Sequence, residues 1–176
     1  MKKLIFVLII GLLLGTAVFA DHPGFGIGIV GGGYGGWSGH GYGYPGLSLK
    51  IPNAPIFWGF YFPLYEPQHF SMGITSDIYL FDRSLVTKEL TNEDGTYKLK
   101  LDWYLGLGGF INLYFWWKDA LIDFGLRVPV GLSWHIIKQL ELFGGIYPGI
   151  GFWFGSPWPV HFIIGGELGL RLWLFK

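Results

Sequence analysis

The stretch Asp102-Trp103-Tyr104-Leu105-Gly106-Leu107-Gly108-Gly109-Phe110-Ile111-Asn112-Leu113-Tyr114-Phe115 decides the fold, because its side chains alternate in character with a period of two. One set of alternate positions holds large apolar residues, broken by a single glycine. The other set holds glycine, tyrosine and polar residues, with a single phenylalanine. Successive side chains of a β-strand point to opposite faces of the sheet. The stretch therefore predicts a strand with one apolar face and one small or polar face.

The same alternation recurs along the chain and gives eight candidate strands. Clear versions lie at residues 70–80, 124–135 and 162–174, and weaker ones at residues 25–29, 47–51, 56–62 and 140–154. Helices are disfavoured, because glycine at every second to fourth position would cost about 1 kcal/mol each relative to alanine. Several of the segments approach or exceed the roughly 9–11 residues with which a tilted strand crosses a bilayer.

The composition indicates which solvent surrounds these strands. Only 14% of the residues are charged, 20% are aromatic and 30 are glycine, whereas a soluble domain normally keeps about a quarter of its residues charged. After residue 20 no apolar run approaches the length of a membrane helix. A chain of this kind can still reside in lipid as a closed barrel, in which every backbone group pairs with a neighbouring strand. The sequence predicts an all-β fold, an eight-stranded antiparallel transmembrane up-and-down β-barrel, as a single domain over residues 21–176.

The N-terminal segment indicates export. Two lysines, Lys2 and Lys3, precede an apolar core from Leu4 to Leu14, and small residues lead to Ala20. This pattern predicts a signal peptide over residues 1–20, cleaved on export through the Sec pathway to the outer membrane.

The chain has no cysteine, which excludes disulfides, thiolate metal sites and a lipoprotein anchor. The whole sequence has 12 basic and 12 acidic side chains, so its net charge gives no indication of nucleic-acid binding.

Charged residues occur one or two per strand and always on the non-apolar face. In a barrel of eight strands that face lines a narrow lumen, where a lone charge would be very costly. We therefore predict a lumenal network of ion pairs that fixes the barrel, with a narrow pore lined by the same groups as the alternative. Its members are Lys50, Asp77, Asp102, Asp123, Arg127, Glu141, Glu167 and Arg171.

Two longer connections are predicted. Residues 31–46 form a glycine-rich tract, expected to be a loop on the outside, in which aromatic residues provide either an interfacial girdle or a contact for an external protein ligand. The contact candidates are Tyr34, Trp37, His40, Tyr42 and Tyr44. The second connection, residues 82–100, is a charged hairpin that reverses at residues 92–95. Counting strands from a periplasmic N-terminus puts this hairpin on the periplasmic side, although such barrels carry their longer loops outside.

Catalytic, cofactor and metal sites are not predicted. Two glycine patterns near residue 30 match a dinucleotide-binding fingerprint, but no helix follows them. The five histidines do not have metal-ligand spacing. Ser133, His135 and Glu141 could approach one another across a turn, yet they lie on a lumenal face. The chain is therefore predicted not to be an enzyme.

Several segments together resemble a known family. They are residues 25–29, residues 46–50, the strand Arg127-Val128-Pro129-Val130-Gly131-Leu132, and residues 141–149 with their Pro-Gly element. These segments resemble a spirochaete family of small outer-membrane barrels, similar to the eight-stranded outer-membrane protein A or X type. The resemblance implies a fold and a location, and it carries no catalytic motif. Residues 168–176 also resemble the aromatic-ended last strand that barrel-assembly machinery recognises.

The predicted function is that of a small non-enzymatic outer-membrane barrel with a structural or surface-binding role. Its predicted partners are outer-membrane lipid, the barrel-assembly machinery and an external protein ligand, and it is predicted to be a monomer. Two alternatives remain at this point. One is a narrow channel lined by the lumenal charges, and the other is a secreted lipocalin-like barrel that binds apolar ligands.

Overall fold

The computed structural model describes residues 24–36, 41–52, 54–64, 70–92, 95–115, 120–154 and 159–175. The predicted signal peptide and the contact candidates Trp37 and His40 lie outside these residues. Among the residues described, no helix is long and apolar enough to cross a membrane.

The described residues form nine antiparallel strands of one sheet, in which every pairing is between antiparallel neighbours. The strands are β1 (Phe25–Gly36), β2 (Gly41–Lys50), β3 (Ile56–Tyr61), β4 (Phe70–Asn92), β5 (Gly95–Phe115), β6 (Ala120–Arg127), β7 (Val130–Ile137), β8 (Leu140–Phe154) and β9 (Val160–Phe175).

Strands β6 and β7 together form one passage of the chain from one end of the barrel to the other, called a crossing below. This crossing is interrupted at Val128 and Pro129. Both halves pair with β5 on one side and with β8 on the other. Across the break, Val128 N–H donates to the Pro148 carbonyl (2.9 Å) and the Pro129 carbonyl accepts from Gly106 N–H (2.8 Å). Proline cannot donate to a ladder, which explains why the regular strand stops there. The wall therefore has eight crossings, as the sequence predicts.

The sheet closes on itself, because β1 pairs with β9 as well as with β2. Directly opposed residues lead around the wall from Gly26 through Lys50, Phe57, Asp77, Gly108, Arg127, Gly149 and Ile163 to Gly36. The path returns to β1 ten residues beyond its start, from Gly26 to Gly36. With eight crossings, this offset corresponds to a strand tilt of about 40°. The predicted up-and-down β-barrel is confirmed.

The two faces of the wall differ as the sequence predicts. Large apolar side chains such as Leu107, Ile111, Leu126 and Leu168 are exposed on the outside. The buried side chains on the inside are mainly aromatic, polar or charged. Exposed apolar patches on soluble monomers rarely exceed a few hundred Å², whereas here apolar side chains cover the wall on all sides. The surface matches a hydrocarbon environment.

Aromatic side chains mark both ends of this apolar band. Phe70, Phe154 and Phe162 are exposed near one end, and Trp134 is exposed near the other. Along β9 the band runs from Phe162 to Leu174, which at the barrel's tilt spans roughly 30 Å along the axis. That length is close to the thickness of a bilayer's hydrocarbon core, and aromatic girdles are typical of its two interfaces.

The predicted loop over residues 31–46 is wrong in extent. Strand β1 continues to Gly36 and β2 begins at Gly41, and the two pair from Gly26↔Lys50 to Gly35↔Gly41. In this tract tyrosines on the inner face alternate with glycines on the outer face. The tract is therefore a strand pattern of period two in which glycine replaces the usual large apolar residue.

The hairpin predicted within residues 82–100 lies at the same end of the barrel as the start of β1 and the end of β9, referred to below as the terminal end. Strands β4 and β5 pair without interruption by a loop from Phe70↔Phe115 to Asn92↔Gly95, with register shifts near Phe81 and Val86. At this end β1 begins beside the end of β9, at Phe25↔Phe175. The strand count from which the sequence analysis placed this hairpin at the end of the barrel where the first strand begins is therefore confirmed.

A charge on the outer wall tests its contact with lipid. Leu168 is 62% exposed on the outer face near the middle of β9. We expect Leu168→Arg to lower the free energy of unfolding in lipid vesicles by about 2–4 kcal/mol, because arginine at mid-depth must be desolvated. Urea titration of the refolded protein measures the change. The control Gln139→Arg, in an exposed turn, should change the value by less than about 0.5 kcal/mol. Equal effects of the two substitutions would contradict a lipid-facing wall.

Candidate functional site

The lumen contains two arginine-centred clusters and a layer of tyrosines. The first cluster is centred on Arg171 of β9, which is 1% exposed. Its Nη1 donates to Glu141 Oε2 on the neighbouring β8 (2.8 Å). Its Nη2 donates past the intervening β1 to Ser48 Oγ on β2 (2.8 Å). The guanidinium also lies over the rings of Phe143 and Phe57, 4.3 and 4.8 Å from their centroids. Arg171 thus connects strands on opposite sides of the seam between β1 and β9.

The Glu141 carboxylate accepts hydrogen bonds at both of its oxygens. Ser133 Oγ donates to Oε1 (2.6 Å), and Trp173 Nε1 joins Arg171 in donating to Oε2 (2.8 Å). His135 Nδ1 lies 3.8 Å from a different carboxylate, that of Asp102. A hydroxyl that donates to a carboxylate already paired with arginine is not activated as a nucleophile, because catalysis requires an available general base. The structure therefore brings Ser133 to Glu141 and places His135 beside Asp102.

The second cluster is centred on Arg127 of β6, which is also buried. Its Nε donates to Asp77 Oδ1 on β4 (2.8 Å), and its Nη2 binds the other oxygen of the same carboxylate. Such bidentate pairing is the strongest form of arginine–carboxylate contact. Nη1 reaches Glu167 Oε2 on β9 (3.4 Å). The guanidinium lies 4.6 Å from the centroid of Tyr147. One arginine therefore joins three separate parts of the wall.

The tyrosine layer lies on the side of Arg127 away from the termini. Tyr44 and Tyr147 share a hydroxyl–hydroxyl hydrogen bond of 2.9 Å. A second bond of the same kind, 2.6 Å long, joins Tyr34 and Tyr114. Tyr61 packs its ring 4.7 Å from that of Tyr44. Because tyrosine combines a large apolar ring with a hydroxyl, this layer fills the lumen and satisfies its own polar groups.

Asp123 and His161 lie beyond the tyrosine layer. Asp123 Oδ2 accepts from Asn112 Nδ2 (3.2 Å), and Asn112 in turn accepts from the Tyr61 hydroxyl. His161 Nε2 lies 3.6 Å from Asp123 Oδ1 and accepts from Trp153 Nε1 (2.9 Å). These contacts extend the lumenal network toward the end of the barrel opposite the termini.

The remaining predicted charges lie toward the terminal end. Asp102 is fully buried, and its Oδ2 forms an ion pair with Lys100 Nζ (3.0 Å). Lys50 is buried, and its Nζ donates to the Ile51 carbonyl (3.0 Å) and lies 5.6 Å from the centre of the Phe57 ring. These two residues do not belong to the arginine-centred clusters.

The structure thus places all eight predicted lumenal charges on the inner face but groups only five of them. Asp77, Arg127 and Glu167 form one cluster, and Glu141 and Arg171 form the other. Among the contact candidates, Tyr34 and Tyr44 bond to partners in the lumen, and Tyr42 packs its ring edge-to-face 5.8 Å from Tyr34.

Sequence reasoning missed the uncharged partners in the lumen. These are Ser48, Tyr61, Tyr114, Tyr147 and Trp173. A signal was available for Ser48, Tyr114, Tyr147 and Trp173, because each occupies the same alternate set of positions as a charge on its own strand. Tyr61 lies on β3, which has no charged residue. Which of them meet across the lumen depends on the ten-residue offset, and that offset is set by register.

Two cavities between described lumenal residues are no larger than a water molecule or two. One, of about 20 Å³, lies among Asp77, Arg127, Glu167 and Arg171. The other, of about 10 Å³, lies among Tyr34, Tyr61, Asn112 and Tyr147. A single water needs roughly 10–15 Å³ on this scale. Side chains therefore fill the lumen at both levels. Within the described part of the chain, no group of three or more histidine and acidic side chains is placed to hold a metal ion.

The comparisons with known proteins bear on the fold. No protein-family model matches the chain, and no curated protein matches it. Solved structures do match. Neisserial surface protein A (NspA) is similar with a TM-score of 0.50 at 15% identity, over 85% of this chain and 97% of that one. The N-terminal β-barrel domain of Pseudomonas aeruginosa OprF has a TM-score of 0.42 at 9% identity, over 84% of this chain and 97% of that one. The likeness to NspA shows a shared outer-membrane β-barrel fold.

The packing of the tyrosine layer can be tested with two glycines. A Cβ at Gly165 would collide with the ring of Tyr147, whereas one at Gly31 would meet nothing closer than 3.8 Å. We expect Gly165→Ala to lower the free energy of unfolding by about 1–3 kcal/mol through overpacking. The matched control Gly31→Ala should be neutral or slightly stabilising, since alanine favours the strand over glycine. Urea titration in vesicles compares the two. An equal response at both positions would show that Tyr147 is not packed as described.

The Arg171 cluster can be tested with a double-mutant cycle. Arg171→Met leaves the buried Glu141 carboxylate without its cation and should cost about 3–5 kcal/mol in free energy of unfolding. Adding Glu141→Gln removes the stranded charge, so the double variant should be more stable than Arg171→Met alone. Unfolding titrations of the four proteins give the coupling. Additive losses from the two substitutions would contradict a direct ion pair.

Proposed function

We propose that this protein is a non-enzymatic barrel of the outer membrane whose lumen is closed and whose role is structural. The observation that carries the proposal is the filled lumen. Two arginines, three carboxylates and a layer of tyrosines occupy the space that a pore or a ligand would need. In this proposal the protein reaches the membrane by Sec export and is assembled by the barrel-assembly machinery, with lipid as the main contact of its outer wall. Membership in the spirochaete family of small barrels is part of the same proposal.

The lipocalin-like alternative is disfavoured by the placement of the two faces. A carrier of apolar ligands needs an apolar cavity inside and a polar surface outside. Here Arg127, Asp77 and Arg171 are buried inside, and exposed residues such as Ile29, Leu126 and Phe162 cover the outside. The observed distribution is the reverse of the one that a soluble carrier requires.

The channel alternative is disfavoured by the cross-lumen contacts. Arg171 reaches Ser48 on the far side of the seam, and Arg127 joins Asp77 to Glu167. The Arg127 contacts together reach from β4 to β9 on the opposite side of the barrel, and the cavities beside them are no larger than a water molecule or two. Ions would have to break several charge-assisted hydrogen bonds to pass.

A surface-binding role at the end opposite the termini remains part of the proposal. Tyr42 lies there and packs against Tyr34, and tyrosine suits contact with a protein ligand. The similar solved structure, NspA, is called a surface protein. Recognition of an external protein ligand would thus occur at the rim, while the closed lumen provides rigidity.

Conductance measurements test the closed lumen. We expect refolded full-length protein in planar bilayers to show no discrete conductance steps, because the two arginine clusters and the tyrosine layer block the lumen in series. A general porin in the same bilayer provides the positive control. Folding of the sample is verified first by its shift in gel mobility on heating. Reproducible steps from folded wild-type protein would overturn the closed-lumen proposal in favour of a channel.

A further inference from the structure

The strands β4 and β5 extend past the rest of the wall as a two-stranded ribbon, defined here as residues 82–92 and 95–100. Pairing of β3 with β4 ends at Ile78 of β4, and pairing of β7 with β5 ends at Lys100 of β5. Beyond these points β4 and β5 pair only with each other among the described residues. The ribbon therefore projects from the barrel at its terminal end.

The ribbon has two chemically different faces. One continues the outer wall, and its opposed pairs are Arg83↔Trp103, Val86↔Leu101 and Lys88↔Leu99. The other continues the lumenal face, and its opposed pairs are Ser84↔Asp102 and Thr87↔Lys100. The register of β4 skips Leu85, so a bulge there brings Arg83 and Val86 to the same face although they are three residues apart.

The charges of the ribbon are sorted between these two faces. Arg83 and Lys88 lie on the outer face and are exposed. Asp82 opposes the buried lumenal Tyr104, and Glu89 follows Lys88 and so lies on the inner face. The eight lumenal charges described above also lie on the inner face. Arg83 and Lys88 therefore depart from the pattern of the wall, and they do so as cations.

The outer face of the ribbon begins at the depth of the lipid headgroups. Leu101 lies opposite Trp134 of β7, and Val86 lies opposite Leu101, so the three form one row across the outer face. Because the offset is ten residues over eight crossings, each step from β7 through β5 to β4 moves about 3 Å toward the terminal end. Val86 is therefore about 6 Å beyond Trp134, at the edge of the apolar band. The headgroup layer on each side of a bilayer is roughly 5–8 Å thick.

Apolar side chains at this depth need cover. Leu85 and Val86 are 55% and 56% exposed, which is unfavourable in water. Lipid covers the outer wall with which they are continuous, so the adjacent leaflet is the partner that this face meets first. Arginine and lysine suit the same layer, because their stems can lie along hydrocarbon while their charge reaches the headgroups. Lipid phosphate is an acceptor that both cations bind well.

We propose that the outer face of the ribbon binds the headgroup layer of the leaflet at the terminal end, with Arg83 and Lys88 as ligands of lipid phosphate. Val86 lies between the two cations in the apolar margin of that layer, and the inner face with Glu89 and Lys100 is turned to water. Anionic lipids are favoured, since the described side chains of the outer face include two cations and no acid. This inference rests on the proposed placement in a membrane.

Site-directed fluorescence tests which face of the ribbon meets lipid, because the chain has no cysteine of its own. Val86→Cys and Thr87→Cys are neighbours on opposite faces. Each is labelled with a small environment-sensitive fluorophore in full-length protein refolded into vesicles. We expect lipid with a spin-label quencher near the headgroup end of its acyl chain to quench the label at position 86 about threefold more than the label at position 87.

A label at Leu168→Cys on the outer wall separates the two proposals. Equal quenching at positions 86 and 87, with the label at position 168 quenched, would overturn the contact between the ribbon and the leaflet. A label at position 168 that lipid does not quench would instead overturn the membrane placement itself.

A comparison of lipids tests the two cations. In the Val86→Cys background, the quencher is carried either on phosphatidylglycerol or on phosphatidylcholine at equal mole fraction. We expect phosphatidylglycerol to quench about twofold more strongly, because Arg83 and Lys88 concentrate the anionic headgroup beside the label. Lys88→Gln should lower this ratio, and Arg83→Gln combined with Lys88→Gln should bring it to about one.

Lys138→Gln is the matched control for the lipid comparison. It removes one cation from an exposed turn at the same end of the barrel, and it should leave the ratio unchanged. A heat-dependent gel shift verifies that each variant has a folded barrel. A ratio near one in the Val86→Cys protein, or an equal fall with Lys88→Gln and Lys138→Gln, would overturn the binding of lipid phosphate by Arg83 and Lys88.

Discussion

Closure of the sheet with a ten-residue offset is the constraint on which the rest of this structure depends. In hydrocarbon every backbone donor and acceptor must be paired within the protein, and a sheet satisfies this only when it has no open edge. Eight crossings at a tilt of about 40° enclose a lumen that side chains can fill. Strand number and offset therefore fix the width of the interior. Residues such as Arg127 and Tyr147 then fill it.

The narrow lumen explains why its two buried arginines are so fully engaged. Arg171 and Arg127 each bind a carboxylate and lie over aromatic rings, so that their charge is balanced on several sides. Partly satisfied networks in low dielectric are costly. The same contacts join β9 to its neighbour β8 through Glu141 and, past β1, to β2 through Ser48. They therefore hold the seam between the first and the last strand, where the chain itself provides no connection.

Sequence reasoning correctly predicted which face of its strand each side chain occupies. It did not predict which side chains from distant strands contact each other. The inward position of Asp77 could be predicted from the period of two on its strand. Its pairing with Arg127, 50 residues away, could not be predicted from that period. Glycines misled the reading of residues 31–46, because glycine is common in loops, and here it occupies outer-face positions of β1 and β2 that large apolar residues usually hold. The tyrosines between them, Tyr34 and Tyr44, followed the strand period throughout.

By itself the sequence determined that the chain is all-β, that its apolar face looks outward and that its charges look inward, because alternation is a local property of each strand. Tertiary structure alone decided which charges meet, that the lumen is filled, and that β4 and β5 project beyond the wall. These features depend on register between strands far apart in the chain. A shift of one strand by two residues preserves the face of every side chain but changes its partner across the lumen.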